Sequence, residues 1–456
     1  MKELYLKEVA AVCGGEYHGP AEALTRCVSF ITTDSRKVGT DCLFAALRGE
    51  RVDGHDFMPA AFSQGALAAL CSRAPEDPAQ PAVVVPSVEE ALGALAGYYR
   101  RKFEIPVVGV TGSVGKTTTK EMIASVLARH MRVHRTEGNF NNELGVPLTV
   151  FRLDEGHEAA VIEMGISHFG EMSRLTQIVR PTVAVITVIG HAHLEFLQDL
   201  EGVLRAKSEI LEGMPEGGVV VVNGDDALLR DAAFRLRAVR YGMGSHCDVR
   251  AENICTLDNG TATGFDVAAG TRRFAVRIPA YGTHMVYAAL AAASVGIEQG
   301  LSDEEIAAGI ADYETVGRRA RICRLPQLTL VDDCYNANPD SCAAAVRSLR
   351  TLEGRRVCIL GDMLELGSDA GKLHYGLGRL AAEEADAVFA CGPVSRHTAV
   401  GASQAAPKKD VRYFEEKKLL IDALPQLLQP GDVVLIKASR GMRFEEIVEA
   451  VEKLRF

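Results

Sequence analysis

The sequence lacks an excess of basic residues. Its 456 residues include 50 Lys and Arg against 60 Asp and Glu, which gives a formal net charge of -10. Nucleic acids and anionic membranes are bound largely by cations that neutralise phosphates, so this balance argues against both as partners. Any anionic substrate must instead be held by a local cluster of lysines, arginines and backbone N–H groups.

Paired cysteine motifs and long apolar runs are also missing. The 11 cysteines are scattered and never form Cys-x-x-Cys, which favours free thiols in a reducing compartment over a disulfide framework or a zinc site. No run of 18 apolar residues occurs, and residues 1–14 do not resemble a signal peptide, so we expect no membrane insertion. We expect a cytoplasmic protein that acts as a monomer.

What the sequence does have is a repeated alternation of short apolar segments with helical patterns. The apolar segments are 107–110, 159–164, 182–188, 218–222, 328–333, 356–360, 387–390 and 432–437. Such alternation is typical of doubly wound parallel sheets, and 456 residues exceed what one core usually organises. We therefore predict an α/β protein of three domains, 1–104, 105–316 and 317–456, the last of them Rossmann-like.

The sharpest local signal is a glycine-rich loop between a strand and a helix, Thr111-Gly112-Ser113-Val114-Gly115-Lys116-Thr117-Thr118. Its glycines would aim backbone N–H groups at phosphate oxygens, and the helix N-terminus adds partial positive charge. Lys116 would reach the β- and γ-phosphates, and Thr117 would bind Mg²⁺. Val110 occupies the first glycine position of the strict phosphate-loop pattern, so this is a shorter variant. Alone, it predicts nucleotide binding without separating a kinase, an ATPase, a GTPase and a ligase.

Three further groups follow at predicted strand ends or on a helix. Glu163 ends an apolar segment, where a carboxylate beside a phosphate loop would hold Mg²⁺. His191 and His193 follow the next segment, and one of them would bind metal or phosphate unless both are polar surface. Lys207 lies in a helical pattern and, by composition alone, is interpreted as an ordinary surface lysine.

The C-terminal region carries three polar loops, each after an apolar segment. In residues 332–341, two aspartates (Asp332 and Asp333) and two asparagines precede a helix that Asp340 or Ser341 is expected to cap. Residues 361–367 and 437–442 follow later strands. We expect these loops to face the phosphate loop across a cleft that holds reactants together and excludes water.

Taken in order along the whole chain, these motifs resemble the Mur ligase family. Further segments carry the resemblance near the N-terminus and after the phosphate loop: 33–36, 41–51, 53–57 and 138–147. The segment 332–341 is the most particular of the set. The phosphate loop alone is moderately specific, whereas the ordered set is highly specific.

The resemblance implies an N-terminal domain that binds a UDP-linked substrate and a role for each matching residue. Lys116, Lys207 and His193 would be catalytic, with Lys207 carbamylated. Thr117 and Glu163 would bind the first Mg²⁺, His193 would bind a second metal ion, and Lys207 would act as a carboxylate-like metal bridge. ATP would contact the phosphate loop, His284, Arg319 (or Arg318) and Asp333. The substrates would contact Ser35, Arg36, Arg48, Asn141, Asn142, Asn336, Asn338 and Ser439.

Two positions depart from the family pattern. Ala288 and Val188 stand where asparagine is common, which affects an expected adenine contact and the hydrogen bonding near His193. Neither change touches the phosphate loop or the expected metal ligands, so we expect activity to be retained.

The resemblance implies ATP-dependent addition of D-alanyl-D-alanine to a UDP-N-acetylmuramoyl tripeptide through an acyl phosphate, a step of peptidoglycan precursor synthesis. Alternatives with the same chemistry are a ligase that adds the third peptide residue and a folylpolyglutamate synthase. A phosphate-loop kinase or ATPase is the alternative from a different class.

Overall fold

A computed structural model describes residues 1–49 and 52–456. Glu50 and Arg51, the last two residues of the segment 41–51 noted above, lie outside the described residues. The described chain contains three separate β-sheets of five, nine and six strands, each flanked by helices. The predicted α/β architecture of three domains is confirmed.

The first sheet has the strand order β1-β5-β4-β3-β2 and is parallel except for β1. Its strands are β1 (Glu16–His18), β2 (Ile31–Thr32), β3 (Leu43–Ala45), β4 (Ala68–Cys71) and β5 (Ala82–Val84). The accompanying helices are α1 (Leu6–Cys13), α2 (Met58–Ser63) and α3 (Val88–Arg100). Ser87 caps α3 by accepting a hydrogen bond from the Glu90 N–H, which satisfies one of the free donors of the first turn.

The second sheet has the order β14-β13-β12-β11-β10-β9-β6-β8-β7. Its strands are β6 (Val107–Thr111), β7 (Val133–Arg135), β8 (Ala159–Glu163), β9 (Val183–Ile186), β10 (Val219–Asn223), β11 (Arg237–Gly242), β12 (Val249–Leu257), β13 (Ala262–Ala269) and β14 (Arg272–Ile278). Its helices are α4 (Lys116–Leu127), α5 (Gly145–Val150), α6 (Glu171–Val179), α7 (Leu194–Leu197), α8 (Leu200–Ser208), α9 (Ala227–Asp231), α10 (Thr283–Glu298) and α11 (Asp303–Ala311). Strands β6 to β12 are parallel, and β12 to β14 form antiparallel pairs.

The third sheet has the order β15-β16-β20-β17-β18-β19, parallel except for β15. Its strands are β15 (Arg321–Arg324), β16 (Thr329–Asp332), β17 (Arg355–Gly361), β18 (Ala387–Cys391), β19 (Asp410–Phe414) and β20 (Asp432–Lys437). Its helices are α12 (Pro339–Ser348), α13 (Ala370–Glu384), α14 (Arg396–Ala405), α15 (Lys417–Leu427) and α16 (Glu445–Glu452).

The first two sheets share one apolar core across helix α3. The buried Tyr99 on α3 donates its hydroxyl to the Leu153 carbonyl at 2.6 Å, and Arg100 donates to the Val179 carbonyl at 3.0 Å. Leu92 and Leu95 of the same helix belong to a core cluster that continues into the second sheet. The third sheet has its own two cores, one on each face, so it is the more independent unit.

Each apolar segment of the sequence corresponds to a parallel strand, whereas the strands β12 to β14 and several short parallel strands had no counterpart among the segments. In β14, exposed positions alternate with positions that are half-buried or buried. Such strands lack the continuous apolar run by which a doubly buried parallel strand is recognised. Within residues 1–49 and 52–456, no helix is long and apolar enough to span a bilayer. The domain boundaries at 104/105 and 316/317 stay predictions.

Candidate active site

The glycine-rich loop lies at the point where the second sheet changes its winding direction. Strand β6 sits between β8 and β9, so the chain crosses away from it on both sides. Ligands of open α/β sheets bind at the carboxyl end of strands beside such a switch point. The loop leaves β6 there and ends at the N-terminus of α4, with Gly115 at φ +82°.

The loop is held in shape by its own neighbours. Gly112 has φ +143°, and a Cβ there would collide with the Thr187 hydroxyl, so glycine is required. Ser113 donates its hydroxyl to the Gly190 carbonyl at 3.0 Å and accepts the Gly190 N–H at 2.9 Å. The Lys116 ammonium donates to the Gly112 carbonyl at 2.7 Å. Burial lowers the pKa of Lys116, while Glu163 opposes that shift.

An oxygen-rich cluster stands beside the loop. The Thr117 hydroxyl donates to Glu163 at 2.8 Å, and the Asn141 amide donates to the other carboxylate oxygen at 2.7 Å. Glu163 is the last residue of β8 and is buried. A hydroxyl and a buried carboxylate are oxygen donors that suit Mg²⁺, so the residues present fit that ion.

Lys207 is not a surface residue, and the interpretation from composition is wrong on this point. It lies on α8 and is among the largest fully buried side chains. Burial lowers the pKa of Lys207 well below its usual range, and the nearby charge of Lys116 lowers it further. Burial also lowers the pKa of His193, with smaller contributions from both lysines. Three potential cations therefore crowd one edge of the cleft, which favours an anionic ligand between them.

The opposite wall of the cleft comes from the third sheet. The Lys437 ammonium, at the end of β20, pairs with Asp333 at 2.6 Å and also donates to the Asn336 carbonyl at 3.0 Å. The Arg319 guanidinium lies over the Tyr335 ring at 3.8 Å from its centroid, and Arg440 lies at 5.5 Å from the same ring. Two arginines on one ring give this wall a positive, planar surface.

Side chains of the C-terminal wall reach across to the central wall. The Asp340 carboxylate accepts the His191 backbone N–H at 2.6 Å, and His193 Nδ1 pairs with Glu365 at 2.6 Å. The Asn338 amide reaches the Ser113 carbonyl at 3.4 Å. Asn338, not Asp340 or Ser341, caps α12, which corrects the cap expected from the sequence. The domains are thus in contact over the phosphate loop, as the polar loops predicted.

His284 lies in the first turn of the long helix α10, at the floor of the cleft. Its Nδ1 atom is buried and has no hydrogen-bond partner among the described residues, and burial lowers the pKa of its imidazole. An unpaired buried nitrogen costs about 1–3 kcal/mol. A bound ligand that donates a hydrogen bond there would recover that cost.

The cleft has a volume of about 440 Å³ and brings together most of the predicted site residues. Those that line it are Ser113, Val114, Gly115, Lys116, Thr117, Thr118, Asn141, Asn142, Glu163, His193, His284, Arg319, Asp333, Asn336 and Asn338. Thr111 and Gly112, the first two residues of the loop, do not line the cleft, and Lys207 is buried close to Lys116. Ser439 is buried and binds the backbone of Leu364 and Ala337, so it supports the loops and does not line the cleft.

The three expected nucleotide contacts of the first domain lie elsewhere. Ser35 and Arg36 stand in a short turn after β2, where Arg36 pairs with Asp34 at 2.8 Å. The backbone of Arg48 forms an isolated antiparallel β-bridge with that of Asp53. None of these residues lines the cleft, so any substrate that touches both regions must be long.

Sequence reasoning missed several side chains that shape the site. Lys437, Arg440, Tyr335 and Glu365 stood in loops that were recognised, but none was singled out as a site residue. The signal for Lys437 was its position as the last residue of a buried strand at the binding edge. The Tyr335 stack and the Glu365 contact depend on packing between loops far apart in the chain.

A phosphate loop lies at the switch point of one sheet, and a second doubly wound domain faces it across a cleft. This arrangement is typical of an enzyme that binds a nucleoside triphosphate between two domains. Comparison with known families agrees. Residues 27–100 match the catalytic domain of the Mur ligase family, 110–296 its middle domain and 317–440 its glutamate ligase domain. The chain belongs to the Mur ligase family and is an ATP-dependent ligase.

Similar proteins extend over nearly the full chain. A UDP-N-acetylmuramoyl-tripeptide–D-alanyl-D-alanine ligase of Bacillus subtilis is 38% identical over 97% of each chain. A crystal structure of MurF from Acinetobacter baumannii superimposes with a TM-score of 0.91 at 31% identity, covering 100% of both chains. MurF from Thermotoga maritima in complex with ADP has a TM-score of 0.84 at 29% identity, covering 95% of this chain and 99% of that one.

Proposed function

We propose that this chain joins D-alanyl-D-alanine to a UDP-N-acetylmuramoyl tripeptide at the expense of ATP, in cytoplasmic synthesis of peptidoglycan precursors. The observation that carries the proposal is the convergence of Lys116, Glu163, His193 and the buried Lys207 at one edge of the interdomain cleft. The similarity to ligases of that name along nearly the whole chain supports the choice of substrates.

ATP would bind with its phosphates in the loop from Gly112 to Thr118. Lys116 then leaves the Gly112 carbonyl for the β- and γ-phosphate oxygens, a change that needs only a rotation of its side chain. His284 offers its unpaired Nδ1 to the adenosine end, while Arg319 and Asp333 approach from the opposite wall. Ala288 is buried in the core of α10, so it supplies no adenine contact.

Thr117 and Glu163 would hold a first Mg²⁺ and His193 a second metal ion, with Lys207 as a further ligand. When bound, Mg²⁺ neutralises charge that develops on the transferring phosphoryl group. As an ammonium, Lys207 has no lone pair and cannot bind a metal ion, whereas a carbamate would offer carboxylate-like oxygens. The lowered pKa of Lys207 keeps a share of the amine neutral, and the neutral amine can add to CO₂ and release one proton to solvent to give that carbamate.

The reaction then takes two steps. A carboxylate oxygen of the tripeptide attacks the γ-phosphorus, and ADP leaves. The nitrogen of D-alanyl-D-alanine attacks the carbonyl carbon of the acyl phosphate, loses a proton and displaces inorganic phosphate. The contacts of Asp340 and Glu365 across the cleft keep water away from the acyl phosphate, which would otherwise hydrolyse.

The muramyl nucleotide would lie between the first domain and the cleft. Ser35, Arg36 and Arg48 would hold its UDP end. Because the chain as a whole is negatively charged, an anionic diphosphate must be held by such a local group of cations and donors. Asn141 and Asn142 would contact the peptide beside Glu163. Asn336 and Asn338 would face the incoming dipeptide, with Ser439 supporting their loop.

The decisive experiment measures inorganic phosphate released from ATP with UDP-N-acetylmuramoyl tripeptide, with and without D-alanyl-D-alanine. We expect release that depends on both substrates, together with ADP and a new amide. Parallel reactions use tripeptides ending in diaminopimelate and in lysine, UDP-N-acetylmuramoyl dipeptide with either amino acid, and a folate with glutamate. Strongest release in one of the last two would assign the chain to an alternative ligase. Phosphate retained on an acceptor would assign it to a kinase.

A further inference from the structure

A second cluster of metal-binding side chains lies outside the cleft. Asp225 follows strand β10, and His246 and Cys247 stand in the loop between β11 and β12. Strands β10 and β11 pair in parallel, so the loops at their carboxyl ends meet. The Asp225 Oδ1 atom lies 3.7 Å from His246 Nε2 and 3.9 Å from Cys247 Sγ. One ligand atom from each of the three residues lies within 4.8 Å of the others.

Glycines make room for all three side chains. A Cβ on Gly224 would lie 2.7 Å from Cys247 Sγ, and a Cβ on Gly242 would lie 2.7 Å from an Asp225 oxygen. A Cβ on Gly244 would lie 2.7 Å from His246 Nδ1. Real Cβ atoms do not approach other atoms so closely, so each glycine is needed for one side chain of the cluster to take its place.

The cluster is oriented by its surroundings. The Gly244 N–H donates to Asp225 Oδ1 at 3.0 Å, and the Tyr287 hydroxyl donates to Oδ2 at 3.1 Å. Partners of this kind fix the direction of a carboxylate ligand. The His246 Nε2–H donates to the Gly224 carbonyl at 2.8 Å, so metal binding requires the imidazole to carry its hydrogen on Nδ1 instead.

We propose that Asp225, His246 and Cys247 form a binding site for a zinc-like divalent transition metal ion, separate from the nucleotide cleft. One carboxylate oxygen, one imidazole nitrogen and one thiolate sulfur are the donors that such ions select, whereas Mg²⁺ prefers oxygen alone. None of the three residues lines the cleft. The imidazole of His246 is 43% exposed, which leaves an entry path and a fourth position for solvent.

Binding would convert a buried thiol into a ligand. Burial, together with the nearby charge of Asp225, raises the pKa of Cys247 to about 11, so the thiol is protonated without metal. The ion takes the place of that proton, which passes to solvent. The bound ion would link the loops after β10 and β11 behind helix α10, whose Tyr287 contacts Asp225.

Cobalt(II) is the probe, because a thiolate bound to it absorbs light by charge transfer. The full-length protein is titrated with cobalt(II) under a large excess of Mg²⁺, which occupies oxygen-donor sites. We expect one equivalent of thiolate-to-cobalt absorption, displaced by one equivalent of zinc. Zinc alone should also raise the melting temperature in the absence of nucleotide.

Cys247→Ser should abolish the absorption, and His246→Ala should weaken it at least tenfold in apparent affinity. Because the His246 side chain is largely exposed, His246→Ala should fold normally. Circular dichroism checks the folding of both variants. Cys255→Ser, at an exposed cysteine on β12, is the matched control and should behave as wild type. The proposal would be overturned if the wild type showed no charge-transfer absorption, or if Cys247→Ser showed the same absorption as the wild type. The three side chains would then serve only to hold the loops together by hydrogen bonds.

Discussion

The two walls of the cleft are built differently. On the central wall, Thr117 lies in the first turn of α4, which follows β6, and Glu163 ends the neighbouring strand β8. A 2.8 Å hydrogen bond joins the two side chains. On the C-terminal wall, Glu365 and Asp340 each reach one histidine of the other domain, and the paired side chains are half-buried or exposed. The central wall is thus arranged before any ligand arrives, whereas the other wall contributes only while the domains touch.

This difference assigns separate tasks to the two walls. Buried, mutually supporting groups act on charge that develops during phosphoryl transfer, because preorganised groups need no rearrangement at that moment. Groups that each reach a single residue of the other domain govern domain closure, and closure sets the lifetime of the acyl phosphate. Variants of the central wall should lose chemistry, and variants of the C-terminal wall should lose coupling.

The largest effect is expected at Lys116. Lys116→Ala removes the ammonium nearest to the transferring phosphate, so kcat for phosphate release should fall by about 10³-fold or more. Single-turnover kinetics with saturating ATP measure the loss. Lys372→Ala, at an exposed lysine of α13, is the control. Normal turnover in Lys116→Ala would refute the assignment of the phosphate loop.

Lys207→Met should reduce ligation by about 10²-fold or more and yet stabilise the fold. The folded-state pKa of Lys207 is depressed, so between that pKa and the usual lysine value the unfolded chain binds more protons than the folded one. The free energy of unfolding of the wild type should therefore rise with pH in this window, and Lys207→Met should lose that slope.

Chemical denaturation at pH 7, 8 and 9 without added bicarbonate measures both effects, with Lys372→Met as the exposed control. An unchanged slope in Lys207→Met would mean that this lysine stays protonated in the folded protein. Recovery of ligation in Lys207→Ala with short carboxylic acids would support a carboxylate-like role.

Glu365→Gln tests the weaker wall. Loss of the charge opposite His193 should lower amide formation by about tenfold, while KM for ATP changes little, because Glu365 touches no expected nucleotide contact. The ratio of phosphate released to amide formed should rise as the acyl phosphate meets water. Glu353→Gln, at an exposed residue of the same domain, should keep that ratio at one. If the ratio stays at one in Glu365→Gln as well, the contact between Glu365 and His193 does not govern domain closure.

Arg36→Ala should have the smallest effect on chemistry. Its guanidinium is exposed and pairs with Asp34, so it is free to exchange that partner for a phosphate. We expect KM for the muramyl nucleotide to rise by about tenfold, equivalent to one charge-assisted hydrogen bond, with kcat and KM for ATP unchanged. Initial rates at varied nucleotide concentration measure it, and Lys7→Ala is the control. A fall in kcat instead would place Arg36 outside the UDP contact.

Much of the central wall was predictable because its groups are local to a strand end. The phosphate loop, Thr117 and Glu163 follow directly from apolar strands, and the carboxyl ends of neighbouring parallel strands must meet at one edge. Even so, the burial of Lys207 was not visible, since a helix pattern does not say which face meets the sheet when the neighbours are unknown. The resemblance to a family, not the pattern, drew attention to that lysine.

The sequence by itself determined three α/β units, the phosphate loop and the polar loops, because each depends on residues a few positions apart. Only the tertiary structure decided that Glu365 reaches His193, that two arginines approach the ring of Tyr335 and that Asp225 meets His246 and Cys247. These partners are separated by up to 172 positions, and their meeting depends on strand order and on domain contact. Neither leaves a periodic signal in the chain, because both are set by how complete elements pack together.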